Sequence, residues 1–454
     1  MKKIFIIVTG CLLFTGCGIY RQYSRPEMTT DGLYRDMDST DTLSLAAVSW
    51  QELFTDPLLQ ELITKGLEQN TDLNIARLRV EQAEASLLNA KLSYLPSVSL
   101  APEGSIGAFD GSKPDRAYNL SATASWELDI FGKTTNAKRG AQAALEGSHA
   151  YRQAVQTQLI STIADSYYTL LMLDRQQAIN EQTLVTWESS IRTFEALKAA
   201  GETNQPAVLQ AQANKLALES SIVATRQNIR EIENQLSVLL GEVPQTIHRG
   251  ELSAQSFPDS LTVGVPVQLL RNRPDVMQAE FSLAQAFYAT NAARAAFYPS
   301  ITLSGSAGWT NNGGGIITNP GGLIWSVVGS LAQPIFNKGT NTANLRIAKA
   351  QQEEAQLMFQ QTVLNAGKEV NDALTQWQSA SQRLYLGDQQ IVALQEAVRQ
   401  TELLMRYSSV NYLEVLTAQQ SLLNAELTQA QSRFDRIQGV IRLYHALGGG
   451  NSVF

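Results

Sequence analysis

Four stretches of this chain alternate apolar and polar residues almost without error. Residues 97–103 put Val98, Leu100 and Pro102 on one face, and residues 119–130 do the same with Leu120, Ala122, Ala124, Trp126, Leu128 and Ile130. Residues 300–310 oppose Ile301, Leu303, Gly305, Ala307 and Trp309 to Ser300, Thr302, Ser304, Ser306 and Thr310. Residues 325–331 oppose Trp325, Val327, Gly329 and Leu331 to Ser326 and Ser330. Successive side chains of a strand point to opposite faces, so period two over about ten residues predicts membrane strands, one face to lipid and one to water. Tyr94, Tyr118, Phe131, Tyr298, Trp309, Trp325 and Phe336 lie near the strand ends, as interfacial aromatic girdles would. The intervening Gly-, Asp- and Asn-rich segments 104–116 and 311–322 read as loops. A soluble sandwich face also alternates. Four strands cannot close, since membrane barrels begin at about eight, so the strand reading requires several copies of the chain.

A second period governs the rest. From Phe359 apolar or small residues step by four and three through Val363, Ala366, Val370, Ala373, Trp377, Ala380, Leu384, Gly387, Ile391, Leu394 and Val398. The same step links Val208, Ala211, Lys215, Leu218, Ile222, Thr225, Ile229, Ile232, Leu236 and Leu239, then Leu413, Leu416, Gln420, Leu423, Leu427, Ala430, Phe434, Ile437, Ile441 and Tyr444, while Ile163, Ser166, Leu170, Leu173, Leu184, Trp187, Ile191 and Phe194 fall on a fourth such seam. Such heptads predict helices packed through interleaved large and small residues. No proline follows Pro334, and a helix from about Thr340 to Met405 would span roughly 100 Å at 1.5 Å per residue.

The chain also repeats itself. At an offset of 203 residues Asp72, Ala76, Gln82, Pro96 and Leu100 recur as Asp275, Ala279, Gln285, Pro299 and Leu303. At 207, Val208, Leu209, Ala211, Gln212, Leu216, Glu219 and Gly241 recur as Val415, Leu416, Ala418, Gln419, Leu423, Glu426 and Gly448. Each half reads helix, strand, strand, long helix, helix. The expected division is a leader over 1–16, a linker over 17–49, a first repeat over 50–250 and a second over 251–454.

Composition narrows the chemistry. Of 454 residues only 17% are charged, the net charge is −7, and there are two cysteines and three histidines. An acidic balance argues against nucleic acid as a partner. His149, His248 and His445 are far apart in sequence, and no phosphate loop, zinc-binding helix or nucleophile elbow is present. No cofactor, metal or enzymatic activity is expected. Lys2, Lys3, an apolar run to Phe14 and then Thr15-Gly16-Cys17 form a secretory leader too short to span a membrane. The small residues before Cys17 resemble a bacterial lipobox, which makes Cys17 the expected acylation site and removes Cys11 with the leader. Ordinary cleavage leaving a free thiol is the alternative.

Several motifs in order carry a resemblance. They are Trp50-x-x-x-Phe54-x-Asp56-Pro57-x-Leu59, Trp126-Glu127-Leu128-Asp129-Ile130-Phe131-Gly132, Leu269-Leu270-x-x-Arg273-Pro274-Asp275, Phe297-Tyr298-Pro299-Ser300-Ile301, Gln333-Pro334-Ile335-Phe336, Glu369-Val370-x-Asp372-Ala373-Leu374 and Leu443-Tyr444-x-Ala446-Leu447-Gly448-Gly449-Gly450. Together they resemble the TolC-like outer-membrane efflux family, in the lipoprotein branch typified by OprM and NodT. The resemblance implies a mainly α protein with membrane β structure. In that picture a homotrimer builds a twelve-stranded β-barrel from four strands per chain, continued by a long α-helical coiled-coil periplasmic tunnel. It also implies an exit duct of a tripartite pump, working with a periplasmic adaptor and an inner-membrane RND-type transporter, to carry drugs or other toxic compounds across the outer membrane. Glu103, Glu127 and Asp129, on polar strand faces, would line or rim the lumen and favour cationic passengers, or simply solvate a wet wall. A gate is expected at the hairpin tips, with Arg406, Tyr407, Tyr412 and Glu414 on one and Glu202 and Asn204 on the other. The family often carries an aspartate and a glycine in the second tip; residues 407–412 contain neither. The same residues could instead be helix caps. A type I secretion-like export duct and a trimeric coiled-coil surface lipoprotein are the competing functions.

Overall fold

The computed structural model describes residues 20, 22–28, 32–34, 45–112, 114–257, 269–310, 322–407 and 412–450. Capped helices open the chain. Ser49 and Glu52 form a reciprocal capping box on α1 (Trp50–Leu53), and Asp56 caps α2 (Pro57–Gln69), which begins on proline. There follow α3 (Thr71–Leu92), β1 (Ser97–Gly107), β2 (Asp115–Leu128), α4 (Lys133–Ala199) and α5 (Gln205–Leu239). The same order then recurs: α6 (Leu269–Asn272), α7 (Pro274–Ala295), β3 (Ser300–Thr310), β4 (Gly322–Ala332), α8 (Thr340–Tyr407) and α9 (Tyr412–Ala446). The paired helices have 22 and 22, 67 and 68, and 35 and 35 residues. Among the described residues no helix is long and apolar enough to cross a membrane.

The strands form one antiparallel sheet in the order β1-β2-β3-β4, with both outer edges open. The first hairpin is longer than its polarity suggests. Pairing continues from Glu103↔Asn119 to Gly107↔Asp115, so both ends of the segment read as a loop, 104–107 and 115–116, are strand. The alternation carries on there, with Ile106 in phase with Val98 and Leu100, and cross-strand hydrogen bonds outweigh the low strand preference of Gly104 and Gly107. β2 conversely ends at Leu128, before Ile130. The other expected loop, 311–322, lies outside the described residues apart from Gly322.

Two compact units emerge. One comprises residues 1–28, 78–149 and 278–360 and holds the sheet; the other comprises 29–77, 150–277 and 361–454. Each draws on both halves of the sequence, and the boundaries fall inside α3, α4, α7 and α8. In the second unit the heptad positions form the core. Phe359, in the first unit, and Val363, Ala366, Val370, Ala373 and Ala380 are all at most 2% exposed. Ile179, Trp187, Leu218, Ile222, Leu423 and Ala430 make one cluster joining α4, α5 and α9. Lys215, the basic member of the α5 seam, reaches Glu188 at 3.0 Å and Glu219 at 3.5 Å.

An N-terminal strap lies on each unit. In the first, Tyr20 covers Gly132, Tyr23 meets the Phe287 ring edge-on at 5.8 Å, and Arg25 pairs with Glu280 at 2.5 Å. In the second, Leu33 sits so close over Gly367 that a Cβ there would collide with it, and Asn371 donates to the Leu33 carbonyl at 2.9 Å. Tyr34 is 5% exposed.

Candidate functional site

The sheet has two unlike faces. Register aligns Ser99, Thr123, Ser306 and Ser326 in one row, where the Ser99 and Thr123 hydroxyls are 2.7 Å apart and those of Ser306 and Ser326 2.8 Å apart. Ser97, Ser300 and Ser330 donate to carbonyls of neighbouring strands. The neighbouring row on the other face is Val98, Ala124, Gly305 and Val327, with Val98 72% and Val327 74% exposed. A contiguous apolar face of this extent in water marks a contact with lipid or protein. β4 departs from the pattern in putting Ile324 and Val328 on the hydroxyl face.

The three acidic candidates separate. Glu103 lies opposite Asn119 on the hydroxyl face and is exposed. Glu127 shares that face but pairs with Lys133 at 2.9 Å. Asp129 is not on a strand face. It falls past the end of β2, and its Oδ1 accepts from the Thr134 amide at 2.8 Å. Its Oδ2 accepts from the Thr135 amide at 2.7 Å and the Thr135 hydroxyl at 2.6 Å. A carboxylate satisfying the unpaired amides at the start of a 67-residue helix is an anchor for that helix. The row Ser99, Thr123, Ser306 and Ser326 on this face carries hydroxyls and no charge.

The hairpin tips show what holds them. At the first, Gly201 takes φ +81°, its amide donates to the Lys198 carbonyl at 3.0 Å, and the Glu202 amide to the Leu197 carbonyl at 2.9 Å. This is a Schellman stop, and its left-handed residue favours glycine. Asn204 then caps α5 through the Ala207 amide at 3.2 Å. Glu202 and Asn204 thus serve the turn, and the Glu202 side chain is exposed. At the second tip the side chains of Arg406 and Tyr407 and residues 408–411 lie outside the described residues. Tyr412 meets the Phe194 ring edge-on at 6.4 Å. With Met405 it flanks a cluster of Ile191, Phe194, Val208, Ala211 and Leu416. Glu414 is exposed in the first turn of α9, where an acid complements the helix dipole.

A residue that the heptad reading passed over ties the tips together. Gln419, 4% exposed, donates to the Ser190 hydroxyl at 3.1 Å and to Glu402 Oε1 at 3.0 Å. It thereby bridges α9 to both α4 and α8. The sequence signal was an amide inside the apolar stripe of α9, flanked by Val415, Leu416 and Leu423.

Farther along the second unit, two arginines, Arg249 half-buried and Arg273 buried, fix chain crossings. Arg249 grips Asp174 through two nitrogens at 2.5 and 2.9 Å and Glu233 at 2.6 Å, and these bonds outweigh desolvation and raise its pKa. Arg273, 3% exposed, holds Asp275, Glu369 and the Ala446 carbonyl. Burial pushes the Asp275 carboxyl up, but the Arg273 hydrogen bonds win and hold it below its ordinary range. His445 beside them is kept below the usual imidazole range by burial and by Arg273. Among the described residues no group of histidines, cysteines and carboxylates could hold a metal ion. These clusters are structural clamps, with the fork geometry for which arginine is suited.

Known proteins resemble this chain in sequence and in fold. The family described as outer membrane efflux protein matches residues 62–242 and 265–449. The chain is 31% identical to the cation efflux system protein CusC of Escherichia coli over 97% of both chains. It is 30% identical to the probable outer membrane lipoprotein SilC of Salmonella typhimurium over 99% of both. In structure it resembles the open state of the Neisseria gonorrhoeae MtrE outer membrane channel, with a TM-score of 0.86 and 28% identity over 96% of this chain and 98% of that one.

Proposed function

The chain belongs to the outer membrane efflux protein family, and from that premise we propose how it works. It is an outer-membrane efflux channel, localised to the outer membrane and not an enzyme. In our reading three copies join β1 of one to β4 of the next, which pairs every open edge and closes twelve strands with the apolar face to lipid. The helix hairpins continue the pore as a periplasmic tunnel, gated at the tips. A periplasmic adaptor dilates the gate, and an inner-membrane transporter delivers the passengers. The two halves, 50–250 and 251–454, are a duplicated unit, and the near-equal helix lengths support that reading.

The observation that carries the proposal is the sheet itself, with two open edges, an exposed apolar face and a hydroxyl face. A surface stalk would need none of these. The hydroxyl face also speaks against cation selection by the wall. Glu127 on that face is paired with Lys133 and the row Ser99, Thr123, Ser306 and Ser326 is uncharged, so the duct accepts what a pump delivers, small toxic molecules of varied charge. Cys17 lies outside the described residues, and we assign the lipid anchor to it. Tyr20 covers Gly132 beside the Phe131–Tyr298 stack, and three residues reach about 10 Å, so acyl chains would enter the membrane at the aromatic end of the sheet. Reconstitution of the purified protein into planar bilayers tests the duct. Discrete conductance steps from trimers are expected, and silence from trimers carrying a loosened tip would overturn it.

A further inference from the structure

Within the second unit, α4 uses two of its faces differently. On one, Ile163 packs against Gly66 and the Tyr167 hydroxyl donates to Asp56 at 2.6 Å, so α2 and its cap cover that side. At about 100° per residue, Gln158, Ser161, Thr162, Asp165 and Thr169 fall on the opposite side. There they wall an open cavity of about 530 Å³, completed by residues of α5, α8 and α9.

The α4 wall of this cavity is short of donors. Ser161 lines it, is 8% exposed, and its hydroxyl has no hydrogen-bond partner. Asp165 accepts from the Gln438 side chain through Oδ2 at 3.3 Å, but its buried Oδ1 has no partner either. The donors that the cavity does hold are engaged. Arg442 donates to Gln376 Oε1 at 2.9 Å, and the Gln158 amide donates to the Thr162 hydroxyl at 3.0 Å. His445 is kept below the usual imidazole range, first by burial and then by Arg273, so it brings no charge. Across the cavity on α8 stands Asp372, the counterpart of Asp165 at the offset of 207 residues. Lys368 pairs with Asp372 at 2.6 Å, and Arg273 with its neighbour Glu369 at 2.7 Å. Asp165 has no such ion pair among the described residues; Arg442 acts on it only through space.

We propose that this cavity binds an organic ammonium ion, whose N–H groups donate to Asp165 Oδ1 and Ser161 Oγ while its carbon skeleton lies against Ile232, Ala373 and Ile441. Three features select that class. A carboxylate without an ion pair calls for positive charge, and a buried acceptor left without a donor is costly until one arrives. Two such oxygens on one wall call for N–H groups, which a quaternary ammonium lacks. The apolar side chains give a hydrocarbon body something to rest on, and a bare inorganic cation would find too few ligands. Binding needs one copy of the chain only. That an amine-bearing passenger pauses at this cavity rests, in addition, on the duct proposed above.

Calorimetric titration of the purified full chain with benzylamine near pH 7, where the amine is protonated, tests the site. Saturable binding of one ion per chain is expected, with no binding of benzyl alcohol at the same concentrations. Asp165→Asn should weaken the amine about tenfold or more and Ser161→Ala about fivefold. Asp372→Asn, whose charge Lys368 already meets, should leave binding nearly unchanged. Benzylamine should also raise the melting temperature of the unsubstituted protein and not that of Asp165→Asn. Absence of saturable binding by protein that melts cooperatively would overturn the site. So would equal binding of the alcohol, or equal losses from Asp165→Asn and Asp372→Asn. In planar bilayers benzylamine should lower the single-channel current of the unsubstituted protein more than that of Asp165→Asn. Equal block of both would overturn the pause, whereas silent bilayers would defeat the duct reading and leave the titration standing.

Discussion

Single side chains in this protein are decided by which face or cap they occupy. Val98 and Ser99 are neighbours, yet one joins the exposed apolar row with Val327 and the other bonds Thr123. Val98→Arg is expected to cost about 2–4 kcal/mol near the bilayer midplane, whereas Ser99→Arg should be tolerated; melting and membrane insertion of the two variants measure the difference. Equal effects would reverse our assignment of faces. Asp165 offers a pH test. Burial holds its carboxyl above the ordinary range, against the pull of Arg442 and Gln438. A carboxyl raised in the native state destabilises that state when ionised, and the penalty is relieved as pH falls through its raised range. Asp165→Asn should therefore raise the melting temperature at pH 7, with the gain shrinking on acidification and gone below the ordinary carboxylate range. A difference independent of pH would exclude this origin. Roles such as that of Asp129 were hidden from the sequence, because alternation continues past the point where β2 ends and only the turn reveals the cap.

At the scale of elements, periodicity did most of the work and long-range pairing the rest. The helix expected from about Thr340 to Met405 runs to Tyr407, and β3 spans the expected residues. The ends of β1 and β2 escaped because glycines within a paired strand look like a loop. The Arg273 and Arg249 clamps and the strap over Gly367 join residues that nothing local connects. Gln419 falls between these cases, visible as an amide in an apolar stripe but without a partner until the helices pack. Removing it breaks a neutral bond and one to a carboxylate, together worth about 2 kcal/mol. Gln419→Ala is expected to loosen the tips and raise single-channel conductance; a lower or unchanged conductance would show that the bridge does not restrain the pore.

For the whole molecule, low charge and moderate hydropathy follow from surfaces meant to be covered. The apolar face of the sheet, Leu209 and Leu216 on α5 and Leu386 on α8 are exposed in the single chain. The lipid anchor belongs to this scale as well. Cys17→Ser should abolish metabolic labelling with palmitate, and retained label would mean that another residue is acylated.

The open edges of β1 and β4 have a genetic consequence. Each copy offers an eleven-residue strand edge on either side of its sheet, along which the N–H and C=O groups of alternate residues point outward without a strand partner in that sheet. In the three-membered ring we propose, a chain that folds its sheet but spoils one edge would still occupy a place beside two sound neighbours. Expressed equally with the normal allele and mixed at random, it would leave only about one in eight rings wholly sound. Edge-strand lesions should behave as dominant poisons of drug tolerance, while lesions that prevent the chain from reaching the membrane should be recessive.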